Sequence, residues 1–129
     1  MSKKVLIADD EPNIVTSLEY LMNKRGYEVK IARNGDEALA LVASFRPDVV
    51  LLDVMMPRKS GYEVCQQIRE HPDWQHIRIV MLSAKGREAE VNKGLSLGAD
   101  IYVTKPFSNQ ELIDKIDALL GGGAKPGGT

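Results

Sequence analysis

The sequence has little of the features that mark secreted or membrane-spanning proteins. Its 129 residues include one cysteine, Cys65, so an internal disulfide is excluded and a reducing compartment is favoured. No apolar run approaches the roughly 20 residues that a helix needs to cross a bilayer. Only the apolar segment Val5–Ala8 precedes the first aspartate, which is too short for the apolar region of a signal peptide. We therefore expect a cytoplasmic protein with no membrane association.

The chain also lacks an excess of charge of either sign. Lysine and arginine number 17 and aspartate and glutamate number 18, which gives a net charge of −1. A nearly neutral chain does not carry the electrostatic footprint of a nucleic-acid-binding protein or the polybasic stretch of a membrane-surface protein. Apolar residues make up 43% of the chain and charged residues 27%, as in ordinary globular domains. We therefore expect a folded core and no direct binding to nucleic acid.

The chain does have a regular alternation of two kinds of apolar segment. Five short runs rich in β-branched residues predict strands, and the longer stretches that follow them place apolar residues at helical spacing. The predicted strands are Val5–Ala8, Val29–Ala32, Val49–Leu52, Ile77–Leu82 and Ile101–Val103. Five strand–helix units in strict alternation favour an α/β fold with a five-stranded parallel sheet and helices on both faces.

Strand composition also predicts the order of the strands in the sheet. The segments Val5–Ala8, Val49–Leu52 and Ile79–Leu82 are almost entirely apolar, as are strands that are buried on both faces. The segment Glu28–Ile31 alternates polar and apolar residues, and Ile101–Val103 is very short, so both are expected at the edges. Edge positions for strands two and five match the order 2-1-3-4-5 of the flavodoxin-like doubly wound fold.

Turn and capping residues indicate the boundaries of these elements. Gly26 and Gly98 follow helical segments, where a left-handed residue commonly ends a helix. The segments Ser60–Glu63 and Ser108–Glu111 have the pattern of capping boxes, which open helices. Residues 121–129 are rich in glycine and have no periodicity. We therefore expect one folded domain over residues 1–120, followed by a flexible glycine-rich tail or linker.

Polar residues that follow the buried strands are the candidates for a functional site. Asp9 and Asp10 follow strand one, Asp53 follows strand three, Ser83 follows strand four and Lys105 lies just after strand five. Because ligands of open parallel sheets bind at the carboxyl ends of the strands, these side chains should meet at one edge. Each residue alone is equally consistent with the polar start of a loop. Together the three carboxylates repel one another unless the lysine or a hard divalent cation such as Mg²⁺ neutralises them.

These residues and their surroundings resemble the receiver domain of two-component response regulators. The resemblance covers about residues 3–120 and rests on five pieces that occur in the order of that family: Val5–Glu11, Asp53–Pro57 with Gly61 and Glu63, Ser83–Ala84, Gly98–Asp100 and Lys105–Phe107. No single piece is decisive, but their combination at the right strand ends is specific. The resemblance implies a signalling switch that catalyses only its own phosphorylation and dephosphorylation. It also implies a cis peptide bond between Lys105 and Pro106.

The resemblance implies a role for each acidic residue of the site. Asp53 matches the aspartate that accepts a phosphoryl group from a phosphohistidine on a histidine kinase or a histidine phosphotransfer protein. Asp10 matches the residue that binds Mg²⁺ (or Mn²⁺) directly, and Asp9 matches its partner, which acts through water. Met55 matches the position whose backbone carbonyl is a metal ligand, so its side chain should matter little for the metal. A carboxylate between a metal and a lysine suits phosphoryl transfer, because positioning and charge compensation dominate that chemistry.

The resemblance also implies how the signal leaves the site. Lys105 matches the lysine that pairs with a phosphoryl oxygen, Ser83 the hydroxyl residue that bonds the phosphoryl group, and Tyr102 the aromatic switch position. Movement of Ser83 and Tyr102 should reshape the surface of the fourth helix, fifth strand and fifth helix, where a downstream partner would bind. One large DNA-binding subfamily dimerises there through charged pairs. Glu111 matches one member of these pairs, but Ile101 replaces an aspartate, so we favour a monomer or a different partner protein.

Three other classes of function are less consistent with the residues. A flavin- or nucleotide-binding module would carry glycine or hydroxyl residues in the first loop, where this chain has carboxylates that repel phosphate. An aspartate-based phosphatase has a second aspartate where this chain has Met55. A degenerate receiver is disfavoured because every site position is filled. Cys65 and Trp74 are expected to pack, and His71 and His76 to lie in solvent rather than bind a metal.

Overall fold

The computed structural model describes residues 3–120, which form five strands and five helices in alternation. The strands are β1 (Lys4–Ala8), β2 (Glu28–Ala32), β3 (Val49–Asp53), β4 (Arg78–Ser83) and β5 (Ile101–Thr104). The helices are α1 (Pro12–Lys24), α2 (Gly35–Phe45), α3 (Gly61–Glu70), α4 (Glu88–Ser96) and α5 (Asn109–Leu119), and a short 3₁₀ turn (Pro72–Trp74) follows α3. The tail expected at 121–129 lies outside the described residues.

The five strands form one parallel sheet in the order β2-β1-β3-β4-β5, which confirms the predicted topology. The central strand β3 is buried along its whole length, whereas β2 and β5 are only partly buried at the two edges. Ala8 of β1 is in register with Leu52 of β3, which is in register with Met81 of β4. Because of this register, the residues that follow the central strands meet at the same edge of the sheet.

Helices cover both faces of the sheet, and each face has its own core. Successive side chains of a strand point to opposite faces. Val50 and Leu52 therefore share a core with side chains of α2 and α3, while Val49 and Leu51 share one with side chains of α1 and α5. All four side chains are fully buried, and each contributes roughly 1.5–3 kcal/mol of hydrophobic stabilisation. This double burial makes β3 a firm support for Asp53, the residue at its end.

The helix ends follow the predicted capping pattern with one exception. At the start of α3, the Ser60 hydroxyl accepts a hydrogen bond from the Glu63 N–H, and the Glu63 carboxylate accepts one from the Ser60 N–H, so the capping box is complete. At the start of α5, the prediction of a second complete box is wrong. The Ser108 hydroxyl accepts from the Glu111 N–H at 3.0 Å, but the exposed Glu111 carboxylate makes no return bond within the described residues. The glycines after α1 and α4 have φ values of +87° and +113°, as expected for left-handed helix ends.

The cysteine and the aromatic residues around the 3₁₀ turn have packing roles. Cys65 is buried, its Sγ donates a hydrogen bond to the Leu97 carbonyl at 3.5 Å, and burial raises the pKa of the thiol to about 11. Trp74 packs against the core, and its ring stacks on that of His71 with centroids 3.9 Å apart. This stacking leaves His71 only partly exposed, whereas His76 is in solvent as expected.

Among residues 3–120, no helix combines the length and the apolar character needed to cross a membrane.

Candidate functional site

Three carboxylates converge at the carboxyl edge of the sheet. Asp9 and Asp10 follow β1, and Asp53 is the last residue of the neighbouring strand β3. One carboxylate oxygen from each residue lies within 4.8 Å of the others. Asp9 is fully buried and Asp53 is 3% exposed, whereas Asp10 is exposed to solvent. The fold therefore brings together the acidic residues that the sequence placed at these strand ends.

Backbone amides of the loops fix the orientation of the two buried carboxylates. The Glu11 N–H donates to Asp9 Oδ1 at 2.9 Å, and the Met55 N–H donates to Asp53 Oδ1 at 3.2 Å. The loop after β3 turns back at once, because the Gly61 N–H at the start of α3 donates to the Val54 carbonyl at 2.9 Å. The side chain of Met55 is 59% exposed, and its carbonyl oxygen accepts no hydrogen bond from residues 3–120. This carbonyl is thus available to a ligand.

Lys105 places its ammonium group against the carboxylates. Its Nζ lies 2.7 Å from Glu11 Oε1, 3.2 Å from Asp9 Oδ2 and 3.6 Å from Asp53 Oδ1. Burial by itself would lower the pKa of Lys105. The hydrogen bond to Glu11 and the charges of Asp53 and Asp9 outweigh that effect, so the pKa lies above its usual value. The lysine is therefore charged at neutral pH. The peptide bond between it and Pro106 is cis, as the resemblance implied.

Glu11 is the residue of this cluster that our sequence reasoning did not include among the site residues. It forms the shortest of the Lys105 ion pairs, at 2.7 Å, although its side chain is largely exposed. The signal in the sequence was its position as the third acidic residue in a run directly after β1. We interpret Glu11 as a residue that positions the lysine.

The charge balance of the cluster favours a further cation. Burial, and next the negative charge of Asp9, raise the pKa of Asp53 to about 6, while the positive charge of Lys105 opposes the rise. A single ammonium thus compensates the carboxylates only in part. The donor set consists of carboxylate oxygens and a free carbonyl oxygen, which are the ligands that Mg²⁺ prefers. The residues present therefore fit a hard divalent cation.

Ser83 and Tyr102 meet at the backbone of Lys85, in the loop after β4. Ser83 ends β4, is almost completely buried, and its hydroxyl oxygen accepts a hydrogen bond from the Lys85 N–H at 2.9 Å. The Tyr102 hydroxyl donates to the Lys85 carbonyl at 2.7 Å. The Ser83 carbonyl also accepts from the Lys105 N–H at 2.7 Å, which joins β4 to the loop that carries the lysine. Both predicted switch residues thus hold the same loop residue.

The fold is a doubly wound α/β domain. Its site is a cluster of carboxylates at the carboxyl edge of the sheet, partly neutralised by the Lys105 ammonium. A sequence model of the response regulator receiver domain matches residues 5–117 of the chain. The chain is 45% identical over 120 residues to the alkaline phosphatase synthesis transcriptional regulatory protein PhoP of Bacillus subtilis. This match covers 93% of the chain and 49% of PhoP, so the chain spans about half the length of that relative.

Solved structures give the same result. A protein of Chloroflexus aurantiacus assigned as a response regulator superposes with a TM-score of 0.89 at 35% identity, covering 94% of this chain and 99% of its own. The BeF₃-activated receiver domain of DrrB has a TM-score of 0.84 at 32% identity, covering 93% and 98%. The chain belongs to the response regulator receiver domain family. It is a regulatory domain of phosphoacceptor signalling rather than a classical enzyme, and the predicted family and fold are confirmed.

Proposed function

We propose that Asp53 accepts a phosphoryl group from a phosphohistidine on a histidine kinase or a histidine phosphotransfer protein. The observation that carries this proposal is the placement of Asp53 at the end of a rigid central strand, beside two further aspartates and 3.6 Å from the Lys105 ammonium. A carboxylate oxygen of Asp53 would form a bond to phosphorus as the bond to the histidine nitrogen breaks. The histidine keeps the electron pair of the broken bond. The domain would catalyse only this transfer and the later hydrolysis of its own phosphoaspartate.

Each neighbour of Asp53 has a part in this proposal. Asp10 and Asp53 would hold Mg²⁺ (or Mn²⁺) together with the backbone carbonyl of Met55, and Asp9 would act through a bound water. When bound, the cation supplies positive charge that offsets the incoming phosphoryl oxygens. Lys105 would move its ammonium from the carboxylates to a phosphoryl oxygen, and the Ser83 hydroxyl would donate to another. The metal and the lysine together would compensate the transferred charge.

Phosphorylation would change the surface of α4, β5 and α5 through Ser83 and Tyr102. If the Ser83 side chain rotates away from Lys85 to reach the phosphoryl group, its bond from the Lys85 N–H would be lost. Among the described residues, this is one of two hydrogen bonds to the backbone of Lys85. Tyr102 would then release the Lys85 carbonyl and turn inward. The ring of Tyr102 packs on α4 at Gly94, where a Cβ would lie 2.9 Å from the tyrosine ring, so its movement is passed directly to that helix. A downstream partner would recognise the changed surface.

The extent of the domain is a further part of the proposal. Residues 1–120 would form the receiver domain. The relative of Bacillus subtilis is a transcriptional regulatory protein and is about twice as long as the match. The near-zero net charge of this chain supports a signalling role without direct contact to nucleic acid. Ile101, in place of an aspartate, supports a monomer or a different protein partner over the charged-pair dimer.

The proposed metal site predicts the effect of removing Asp10. Incubation with acetyl phosphate and Mg²⁺ should add one phosphoryl group, and a chelator should prevent the addition. We expect Asp10→Ala to weaken Mg²⁺ binding at least about tenfold, since even changes behind the direct ligands commonly cost roughly 10–100-fold. Calorimetric titration with Mg²⁺ measures this. Asp114→Ala removes an exposed carboxylate of α5 and should leave the titration unchanged. An Asp10→Ala protein that binds Mg²⁺ as tightly as the wild type would remove Asp10 from the ligand set.

The proposed switch predicts where the structure responds to a phosphoryl mimic. Addition of beryllofluoride with Mg²⁺ should shift the amide signals of residues 83–105 and of α5 in nuclear magnetic resonance spectra. Tyr102→Phe cannot donate to the Lys85 carbonyl, so we expect signals of the loop after β4 to be shifted already without the mimic. Shifts limited to the loops around Asp10 and Asp53 would contradict the coupling of Ser83 to Tyr102.

A further inference from the structure

A second concave surface lies beside the acidic site, between the start of α3 and the start of α4. It is a groove of about 300 Å³, lined by Val54, Met55, Tyr62, Lys85, Ala89, Glu90 and Lys93. This volume is at the lower end of the range of ligand-binding pockets, roughly 300–1,000 Å³. It has room for one or two anchoring side chains of a partner. The phosphoryl-transfer proposal uses only the backbone of Met55 and Lys85 from this set.

The floor of the groove is apolar and open to solvent. Among the described residues, Met55 is one of two large apolar residues with more than half of the surface exposed, at 59%. Tyr62 is half-buried, and its hydroxyl donates to the Glu90 carbonyl at 3.3 Å, which ties α3 to α4. Ala89 is exposed on α4 and leaves space above the floor. An exposed thioether next to an aromatic ring is a surface that accepts aliphatic or aromatic side chains.

The rim of the groove is positively charged. The Lys93 ammonium lies 4.4 Å from the centre of the Tyr62 ring, and neither Lys93 nor Lys85 has a carboxylate within ion-pair distance in residues 3–120. Glu90 is the acidic residue of the lining, and its carboxylate is already paired with Arg87, at 2.8 and 3.1 Å. The groove therefore offers two unpaired ammonium groups around an apolar floor. Its charge complement is a ligand with carboxylates on either side of an apolar group.

We propose that this groove binds an acidic amphipathic peptide segment of a partner protein. One or two leucine or phenylalanine side chains of the segment would lie on Met55 and Tyr62, and flanking aspartates or glutamates would pair with Lys85 and Lys93. A peptide is favoured over a nucleic acid because the floor of the groove is apolar and the domain carries no excess of positive charge. The proposal does not depend on phosphorylation of Asp53, so its test uses the unphosphorylated chain.

Titration of the ¹⁵N-labelled full chain with a synthetic peptide tests the proposal. The peptide carries a leucine and a phenylalanine between pairs of aspartates. We expect saturable shifts of the amide signals of residues 54–62 and 85–93, and weaker binding as ionic strength rises. A peptide with lysines in place of the aspartates should not bind. Shifts spread over other surfaces, or equal binding of the lysine peptide, would overturn the proposal, as would tighter binding of a short oligonucleotide to the same residues.

Two substitutions on α4 test the assignment of the groove, and one on α1 is the matched control. Lys93→Glu should weaken binding about fivefold or more, because it replaces an attraction by a repulsion. Ala89→Trp should block the groove by filling it without adding a charge, and it lies at an exposed helical position where folding tolerates the change. Lys24 is the control, since its ammonium also lies over a tyrosine ring, that of Tyr20 on α1, at 5.5 Å. Lys24→Glu should leave the affinity unchanged. If the Lys93→Glu and Lys24→Glu proteins bound the peptide with equal affinity, Lys93 would not pair with the acidic residues of the peptide, and the proposal would be refuted.

Discussion

Asp53→Asn should abolish the uptake of a phosphoryl group from acetyl phosphate while leaving the domain folded. The amide oxygen of asparagine is a poor nucleophile, and no other described carboxylate occupies the end of the central strand. Asp9 lies within reach of the same ligands, but it is fully buried and already bonded to the Glu11 N–H and to Lys105. We therefore expect no substitute acceptor. Intact-protein mass spectrometry after incubation with acetyl phosphate and Mg²⁺ measures the outcome.

The same substitution should also make the domain more stable at neutral pH. The pKa of Asp53 is raised from 3.8 to about 6, so the folded protein disfavours the charged carboxylate. A raised pKa in an acid means that ionisation costs folding free energy. The cost is fully present above about pH 6 and disappears as the pH falls toward 4. Asp53→Asn should therefore unfold at a higher temperature than the wild type at pH 7, and the difference should shrink on acidification.

The stability measurement separates loss of the acceptor from loss of the fold. Asp73→Asn, at an exposed position of the 3₁₀ turn, is the matched control and should be phosphorylated and unfold like the wild type. Normal phosphoryl uptake by Asp53→Asn would show that Asp53 is not the acceptor. A variant that is both unphosphorylated and strongly destabilised would contradict the electrostatic account of the site, because it would show that the Asp53 charge supports the fold.

The parts of the fold that could be predicted are those that depend on a continuous pattern of burial. β3 is apolar throughout because both faces are covered, and β2 alternates because it lies at an edge, so composition alone indicated their positions. The register of parallel strands then brings Asp9 and Asp53 together whatever their side-chain conformations. For this reason the acidic cluster could be predicted without a structure.

The contacts that could not be predicted depend on side-chain conformations and loop paths. The ion pair of Glu11 with Lys105 depends on the side-chain conformation of Glu11. The missing half of the capping box at Ser108 depends in the same way on the conformation of the exposed Glu111 side chain. The hydrogen bonds of Ser83 and Tyr102 to the backbone of Lys85 depend on the path of the loop after β4. Neither a residue type nor a spacing specifies such a path.

Gly61 lies so close to the backbone of β3 and the loop after it that a larger residue does not fit. The pattern of apolar and polar residues in the sequence does not reveal this contact. Gly61 is the first residue of α3, its N–H bonds to the Val54 carbonyl, and it has an ordinary helical backbone conformation, so φ does not require glycine. A Cβ at this position would instead collide with the carbonyl oxygen of Asp53 and lie 2.8 Å from the Cα of Val54. Both neighbours are backbone atoms of β3 and its exit loop. They cannot move without displacing Asp53 itself.

Gly61→Ala should therefore reduce both stability and phosphorylation. Overpacking against a rigid backbone costs roughly 1–3 kcal/mol of the free energy of unfolding. A displacement of the acceptor by about 1 Å can slow a transfer reaction about 100-fold. Urea unfolding and the initial rate of phosphoryl uptake measure the two effects.

Gly86→Ala is the matched control for this glycine. A Cβ at position 86 would lie 2.7 Å from the Thr104 methyl group, which is the end of an exposed side chain and can rotate away. Gly86→Ala should change the free energy of unfolding by less than about 1 kcal/mol, because the Thr104 side chain can rotate to make room for the new methyl group. If Gly61→Ala were as stable and as quickly phosphorylated as Gly86→Ala, the backbone of β3 would be able to shift at Asp53. The requirement for a rigid strand beneath the acceptor, on which the proposed function depends, would then not hold.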